Sequence, residues 1–202
     1  MLILYRLIIN VVCLFAPIIL RIRIYKKKED ENRYKEKLCI IKKKKPQGKL
    51  VWFHAASVGE LLSIVPLLEK LEKIKEIKSI LLTTNTLSSS KVFEKKIKSK
   101  KIIHQFFPLD KDIFTKKFLS HWLPDLVIFV ESEIWPNFIL NIKNRKIPLI
   151  LLNARITTKT YLRWKKIPNF AKSIFNSFDI CLSQNKETEK YLTNFGVKKI
   201  KN

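Results

Sequence analysis

The sequence predicts an α/β fold with one parallel sheet covered on both faces. Three observations carry this. Short apolar runs such as Leu50–His54 and Asp125–Val130 recur along the chain. Stretches with apolar residues at helical spacing alternate with them. The runs are apolar throughout rather than on every second residue, which marks strands buried from both sides.

The chain opens with MLILYRLIINVVCLFAPIIL, in which only Arg6 and Asn10 are strongly polar. Twenty helical residues cover about 30 Å, the thickness of a bilayer core. A cleaved signal peptide carries its charge before the apolar run. Here Arg21, Arg23, Lys26, Lys27 and Lys28 come after it. Residues 1–25 are therefore expected to be an uncleaved membrane anchor, with Arg6 snorkelling near its end, rather than a signal peptide or an interfacial helix. The positive-inside rule then holds the following residues in the cytoplasm. Residues 26–49 are expected to be a basic juxtamembrane segment. Arg21 to Lys49 carry 13 basic and 4 acidic residues, the densest basic stretch. Anionic headgroups attract such a stretch at about 1 kcal/mol per charge.

Residues 50–202 are expected to form one Rossmann-like domain. Leu50–His54 is its first strand. Leu61, Ile64, Val65, Leu68 and Leu71 fall at helical spacing, so a helix is expected from Ser57 to about Glu76, kinked or broken at Pro66. Strand Ser79–Thr83 and helix Leu87–Lys98 follow, then strand Ile102–Phe106 and helix Lys111–Trp122. Asp125–Val130 is a strongly buried strand, Pro136–Arg145 a helix and Pro148–Leu152 a strand. Phe178–Leu182 is a further strand, and Asn185–Phe195 a helix stopped by Gly196.

Composition excludes several functions. The net charge is +24, from 41 basic and 17 acidic residues, which points to an anionic partner. Lysine drift is the bland alternative, and runs such as Lys95–Lys101 fit it. The basic stretch lacks the aromatic and Arg interleaving of nucleic-acid binders, so no nucleic acid is expected. Three glycines rule out a dinucleotide-binding loop and a P-loop. Cys13, Cys39 and Cys181 form neither a disulfide framework nor a metal pair, which suits a reduced, cytosol-facing setting. His54, His104 and His121 lack ligand spacing, so no metal is expected.

In parallel sheets ligands gather at the carboxyl ends of strands. Glu60 follows the first strand in HAASVGE, at the start of a helix whose dipole favours its ionised form. Such a carboxylate suits a general base, although many helices begin with a Glu that only complements the dipole. Gly59 beside it permits close approach of a ligand or an unusual dihedral. Glu131 and Glu133 follow the most hydrophobic strand, and their proximity is expected to raise one pKa. Acidic residues ahead of a helix led by Pro136 are the alternative, which explains Glu133 better than Glu131. Asn153, Arg155, Lys159 and Arg163 follow the fifth strand. Arg forks suit phosphate or carboxylate, against a plain solvated helix face.

Taken together, WFHAASVGE (52–60), FPLD (107–110), ESEIWPN (131–137) and LLNARIT followed by YLRW (151–164) resemble the 3-deoxy-D-manno-octulosonic acid (Kdo) transferases. These are inner-membrane glycosyltransferases of lipopolysaccharide biosynthesis. The resemblance implies a GT-B fold, in which two Rossmann-like domains face each other across a cleft. It implies inverting transfer from CMP-Kdo to lipid IVA with no metal or other cofactor. Glu60 corresponds to the family's proton acceptor and Glu131 to its transition-state stabiliser. His54, Ser57, Gly59, Glu133, Asn153, Arg155 and Arg163 are expected on the acceptor side, the two arginines against acceptor phosphate. Family members continue into a second domain that opens near Gly-x-Leu/Ile-Lys and binds the donor. This sequence reaches Gly196–Asn202, just short of that motif. It is expected to carry the acceptor half alone and, by itself, to transfer little or no Kdo. The rival expectation is a non-catalytic basic protein of the same fold that binds membranes or nucleic acid.

Overall fold

The computed structural model describes residues 1–201. Its strands are β1 (Lys49–His54), β2 (Ile77–Thr84), β3 (Ile102–Phe106), β4 (Leu126–Val130), β5 (Leu149–Ala154), β6 (Ile180–Ser183) and β7 (Ile200–Lys201). Its helices are α1 (Leu2–Tyr25), α2 (Val58–Glu72), α3 (Leu87–Lys96), α4 (Asp112–Trp122), α5 (Pro136–Asn144), α6 (Thr158–Lys165), α7 (Pro168–Phe175) and α8 (Lys186–Asn194). The strands form one sheet, parallel throughout, in the order β3-β2-β1-β4-β5-β6-β7. The expected Rossmann-like architecture is present.

Side-chain alternation divides the core in two. Val51 and Phe53 of β1 join Leu61, Ile64 and Leu68 of α2 on one face. Leu50 and Trp52 join Phe118 and Trp122 of α4 and Phe138 and Ile142 of α5 on the other. Both faces are therefore dry, and the polar carboxyl ends of the strands are where an open edge meets chemistry. The helix expected around Pro66 runs through it unbroken. The carbonyl that loses its partner there belongs to Leu62, on the exposed side of the helix. Asn185 caps α8 by accepting from the Thr188 N–H, and Gly196 takes φ +85° just past the helix end, as expected. A β-carbon at Gly196 would stand 3.0 Å from the Asn176 side chain.

Helices α6 and α7 lie between the fifth and sixth expected strands, where the sequence suggests only a solvated helix face around Lys159 and Arg163; α7 was not foreseen. Helix α6 has no fully buried residue, and its apolar face is only the partly buried Tyr161 and Trp164, too short a stripe to betray it. Helix α7 starts on Pro168 at its first position and is only eight residues long. Strand β7 is two residues long, below what a pattern reveals.

The N-terminal third adds contacts that the sequence did not specify. Residues 26–49, expected as a basic juxtamembrane segment, fold against the sheet domain. A 3-10 turn, Tyr34–Leu38, packs beside β3, and Cys39 is in the core. Lys37 is buried. Its ammonium donates to Glu29 Oε1 at 2.6 Å and to the Asn85 carbonyl at 2.8 Å. Burial pushes the Lys37 pKa down, while Glu29 holds it up. Glu29 Oε2 also accepts from Arg23 Nε at 3.0 Å, which ties the end of α1 to this turn. Arg6 also reaches the sheet domain. It donates to Asp112 Oδ1 at 2.7 Å and to Asn137 Oδ1 at 2.9 Å.

Removing one member of a buried ion pair leaves the other uncompensated. Glu29→Gln is therefore expected to destabilise the fold by about 3 kcal/mol. Thermal unfolding of the detergent-solubilised chain checks this, and a midpoint unchanged from wild type contradicts it.

Candidate active site

Strands β1 and β4 are neighbours, but the chain leaves them in opposite directions, towards β2 and towards β5. Their carboxyl ends therefore open a crevice at the point where strand order reverses. The loop after β1 supplies Ser57, Gly59 and Glu60. The loop after β4 supplies Glu131 and Glu133.

Ser57 is the N-cap of α2, and its Oγ accepts from the Glu60 N–H at 3.3 Å. The carboxylate of Glu60 folds back in return. Oε1 accepts from Ser57 Oγ–H at 2.9 Å, and Oε2 from the Ala56 N–H at 2.8 Å. This is a capping box closed one residue further back than usual. The helix start was expected to keep Glu60 readily ionised. Instead burial raises its pKa above the ordinary carboxylate value, opposed by the Ala56 and Ser57 bonds and reinforced by the charge of Glu133. Gly59 sits within the first turn of α2 without a positive φ, so the unusual-dihedral reading fails. A β-carbon there would meet only Ser57 Oγ, at 4.0 Å.

Glu133 turns inward. Its Oε2 accepts from His54 Nε2 at 3.0 Å and from the Trp135 indole N–H at 2.7 Å. Burial pushes its pKa up, but the His54 bond and charge, with the indole, outweigh that and hold it below the usual range. The expected rise is therefore corrected for Glu133, which is lowered. The carboxyl that Glu133 raises is Glu60, across the crevice. His54 also needs correction as an acceptor contact. Its exposure is 0%. Its ring stacks on Phe107 at 3.7 Å between centroids, and Nδ1 lies 3.1 Å from both the carbonyl and the hydroxyl of Thr83. No surface of it remains for a ligand, and it acts by fixing Glu133.

Glu131 and Asn153 end adjacent strands with left-handed backbones, at φ +58° and +56°. Such residues cost about 1 kcal/mol or more each and cluster where function needs them. The Glu131 N–H donates to the Leu152 carbonyl at 2.8 Å, and Ser132 Oγ donates to the Arg155 carbonyl at 2.6 Å. The two loops are thus held together. The Glu131 carboxylate makes no side-chain hydrogen bond among the described residues. Asn153 lines a separate hollow of about 370 Å³ between α2 and the ends of β5 and β6.

An apolar groove of about 390 Å³ adjoins the crevice. Trp135, Trp164, Ile167 and Phe170 wall it, with Arg163, Thr160 and Tyr5 along its lining. Trp135 is shared: its N–H holds Glu133 while its ring faces the groove. Arg155 and Arg163 are exposed, and neither pairs with a carboxylate among the described residues. Arg155 does not line the groove, so the two arginines are not brought together in one hollow. Sequence reasoning missed Tyr5, Ile167 and Phe170. No motif links Tyr5 to residues more than a hundred positions away.

Sheet order, crevice and acidic loops define one Rossmann-like half of a GT-B-type protein. A solved UDP-N-acetylglucosamine 2-epimerase from Rickettsia bellii shares this fold, with a TM-score of 0.53 at 17% identity over 77% of this chain and 44% of that one. The chain belongs to the Kdo transferase family: the family model described as 3-deoxy-D-manno-octulosonic-acid transferase (kdotransferase) matches residues 32–202. It is 37% identical over 175 residues to the 3-deoxy-D-manno-octulosonic acid transferase of Rickettsia bellii, covering 86% of this chain and 41% of that protein. It is 42% identical over 135 residues to the Rickettsia typhi enzyme of the same name, covering 67% and 29%. The chain thus spans about two-fifths of the length of the first of these relatives.

Carboxyl-carbon NMR titration is expected to place the Glu60 midpoint above that of an ordinary glutamate. Because Glu133 raises it, Glu133→Gln is expected to move the midpoint down. A midpoint that stays put or climbs in the variant contradicts this electrostatic arrangement.

Proposed function

We propose that this chain is the acceptor half of an inverting Kdo transferase that moves Kdo from CMP-Kdo to lipid IVA at the cytoplasmic face of the inner membrane. The setting of Glu60 supports this reading most. It is a half-buried carboxylate of raised pKa, at a switch-point crevice beside an apolar groove lined by an unpaired arginine. A general base works best when its pKa lies closer to the working pH than that of a free carboxylate. Glu60 takes the proton of the attacking acceptor hydroxyl. Glu131, without a side-chain partner, stabilises the positive charge that develops on the sugar. Ser57 orients Glu60, and Gly59 leaves room for the acceptor beside it. Glu133 is held by His54 and forms the wall between base and groove through Trp135. Asn153 keeps the turn after β5. Arg155 and Arg163 meet acceptor phosphate. The groove takes an apolar part of the lipid.

Holding CMP-Kdo in line is work for a second domain, and transfer requires both partners positioned. Residues 1–202 by themselves are therefore expected to transfer no Kdo. Measurable transfer by the purified chain alone contradicts that. When a donor half is supplied, transfer is expected to appear and to fall by roughly a hundredfold or more in Glu60→Ala. Flotation with lipid IVA vesicles is expected to weaken by roughly tenfold in Arg155→Ala and in Arg163→Ala, since each removes a charge-assisted contact. Unchanged flotation in both, or equal binding to duplex DNA, argues against an acceptor-phosphate role.

A further inference from the structure

Helix α1 is long and apolar enough to cross a bilayer, at mean hydropathy 2.3 over its best window. Its contacts, however, run along its length. Near its start, Tyr5 donates its hydroxyl to Asp110 at 2.6 Å, and Arg6 bonds Asp112 and Asn137. In the middle, Ala16 and Leu20 are buried. Near its end, Arg23 pairs with Glu29, which also holds Lys37. Arg6 and Arg23 lie about 26 Å apart along the helix axis. A span would put them on opposite sides of the hydrocarbon core. Here both are tied to the same domain.

The charges around Arg6 make the same point. Asp112 pairs with Arg6 and with Lys116 at 2.7 Å, and Asp110 lies beside them. This cluster belongs to the sheet domain, and carrying it across a bilayer is strongly unfavourable. The opposite face of α1 is bare. Leu7, Val11, Leu14, Phe15 and Ile18 are each more than half exposed. A stripe of that extent needs an apolar partner. Arg21, Lys26, Lys27 and Lys28 stand exposed at its C-terminal end. Apolar stripe and flanking cations together match an anionic lipid surface.

We propose that α1 is an in-plane membrane helix. It lies flat at the headgroup–acyl boundary of an anionic bilayer, clamped to the domain along one face, and does not cross. This rests on the membrane-surface reading above and deepens it. Because Tyr5 also lines the apolar groove, the mouth of that groove comes to the level of the headgroups, where a lipid enters without leaving the bilayer.

Side-selective labelling tests this independently of any transfer activity. On a Cys13→Ser background, one variant carries a cysteine in a short extension ahead of Met1 and the other is Lys28→Cys. Each is bound to preformed phosphatidylethanolamine–phosphatidylglycerol vesicles and treated outside with an impermeant maleimide. Both are expected to label fully without detergent. Labelling of Lys28→Cys alone, with the N-terminal cysteine needing detergent, overturns the proposal in favour of a span. In a second measurement, Leu7→Asp/Phe15→Asp is expected to weaken vesicle binding by at least about tenfold. Unchanged vesicle binding with loss of self-association overturns it in favour of a second copy of the chain covering this face.

Discussion

The carboxylate of Asp110 is the tie on which both the site and the N-terminal helix depend. It is nearly fully buried, and its two oxygens accept from the backbone N–H groups of Asn137 and Phe138, each at 2.9 Å. Those are the unsatisfied donors at the start of α5, which has no side-chain cap of its own. Burial pushes the carboxyl up to about 6, against the bonds from Tyr5 and the two N–H groups, which favour its charged form. By fixing where α5 begins, Asp110 fixes Trp135 directly ahead of it, and with Trp135 the position of Glu133. The same oxygen that holds Asn137 takes the Tyr5 hydroxyl. One buried charge therefore sets the wall of the crevice and docks the start of α1.

The sheet was legible because its signal is redundant. Strands such as β4 are apolar at almost every residue, and helices α2, α4 and α5 repeat apolar residues against them. The positions of Glu60, Glu131 and Glu133 followed from strand ends alone. Their interactions did not follow. Adjacency in sequence suggested that Glu131 and Glu133 perturb each other. The structure instead turns Glu133 inward onto His54, a residue 79 positions earlier, so that its charge acts on Glu60. His54 looked available because it ends a strand, yet Phe107 covers its ring and Thr83 takes its other nitrogen. Burial of a side chain at a strand end depends on what the neighbouring strands place there. A single sequence does not encode that locally.

The basic residues divide along similar lines. Composition treats all 41 alike. In the fold, Lys37 and Lys43 are structural: Lys37 is buried and joins Glu29, and Lys43 donates to the His104 carbonyl. Arg6, Arg23 and Arg33 are paired with carboxylates. Arg155 and Arg163 stand exposed and unpaired among the described residues, near an apolar groove. Net charge alone could not separate cations that hold the fold from cations open to a ligand, because the difference lies in their partners.

In the proposed reaction Glu60 would carry two duties that seem opposed. As a cap it must accept hydrogen bonds, which favours the ionised form. As a base it must take up a proton and keep its place. Ser57 reconciles them. Its hydroxyl donates to the ionised Glu60 Oε1, and a hydroxyl has two lone pairs and a freely rotating hydrogen. When Oε1 becomes protonated, the same 2.9 Å contact persists with its direction reversed, Glu60 donating and Ser57 accepting. Oε2 continues to accept from the Ala56 N–H throughout. The first turn of α2 therefore remains closed in both protonation states. On the proposed role, only the proton then needs to move, with both contacts of the carboxyl kept.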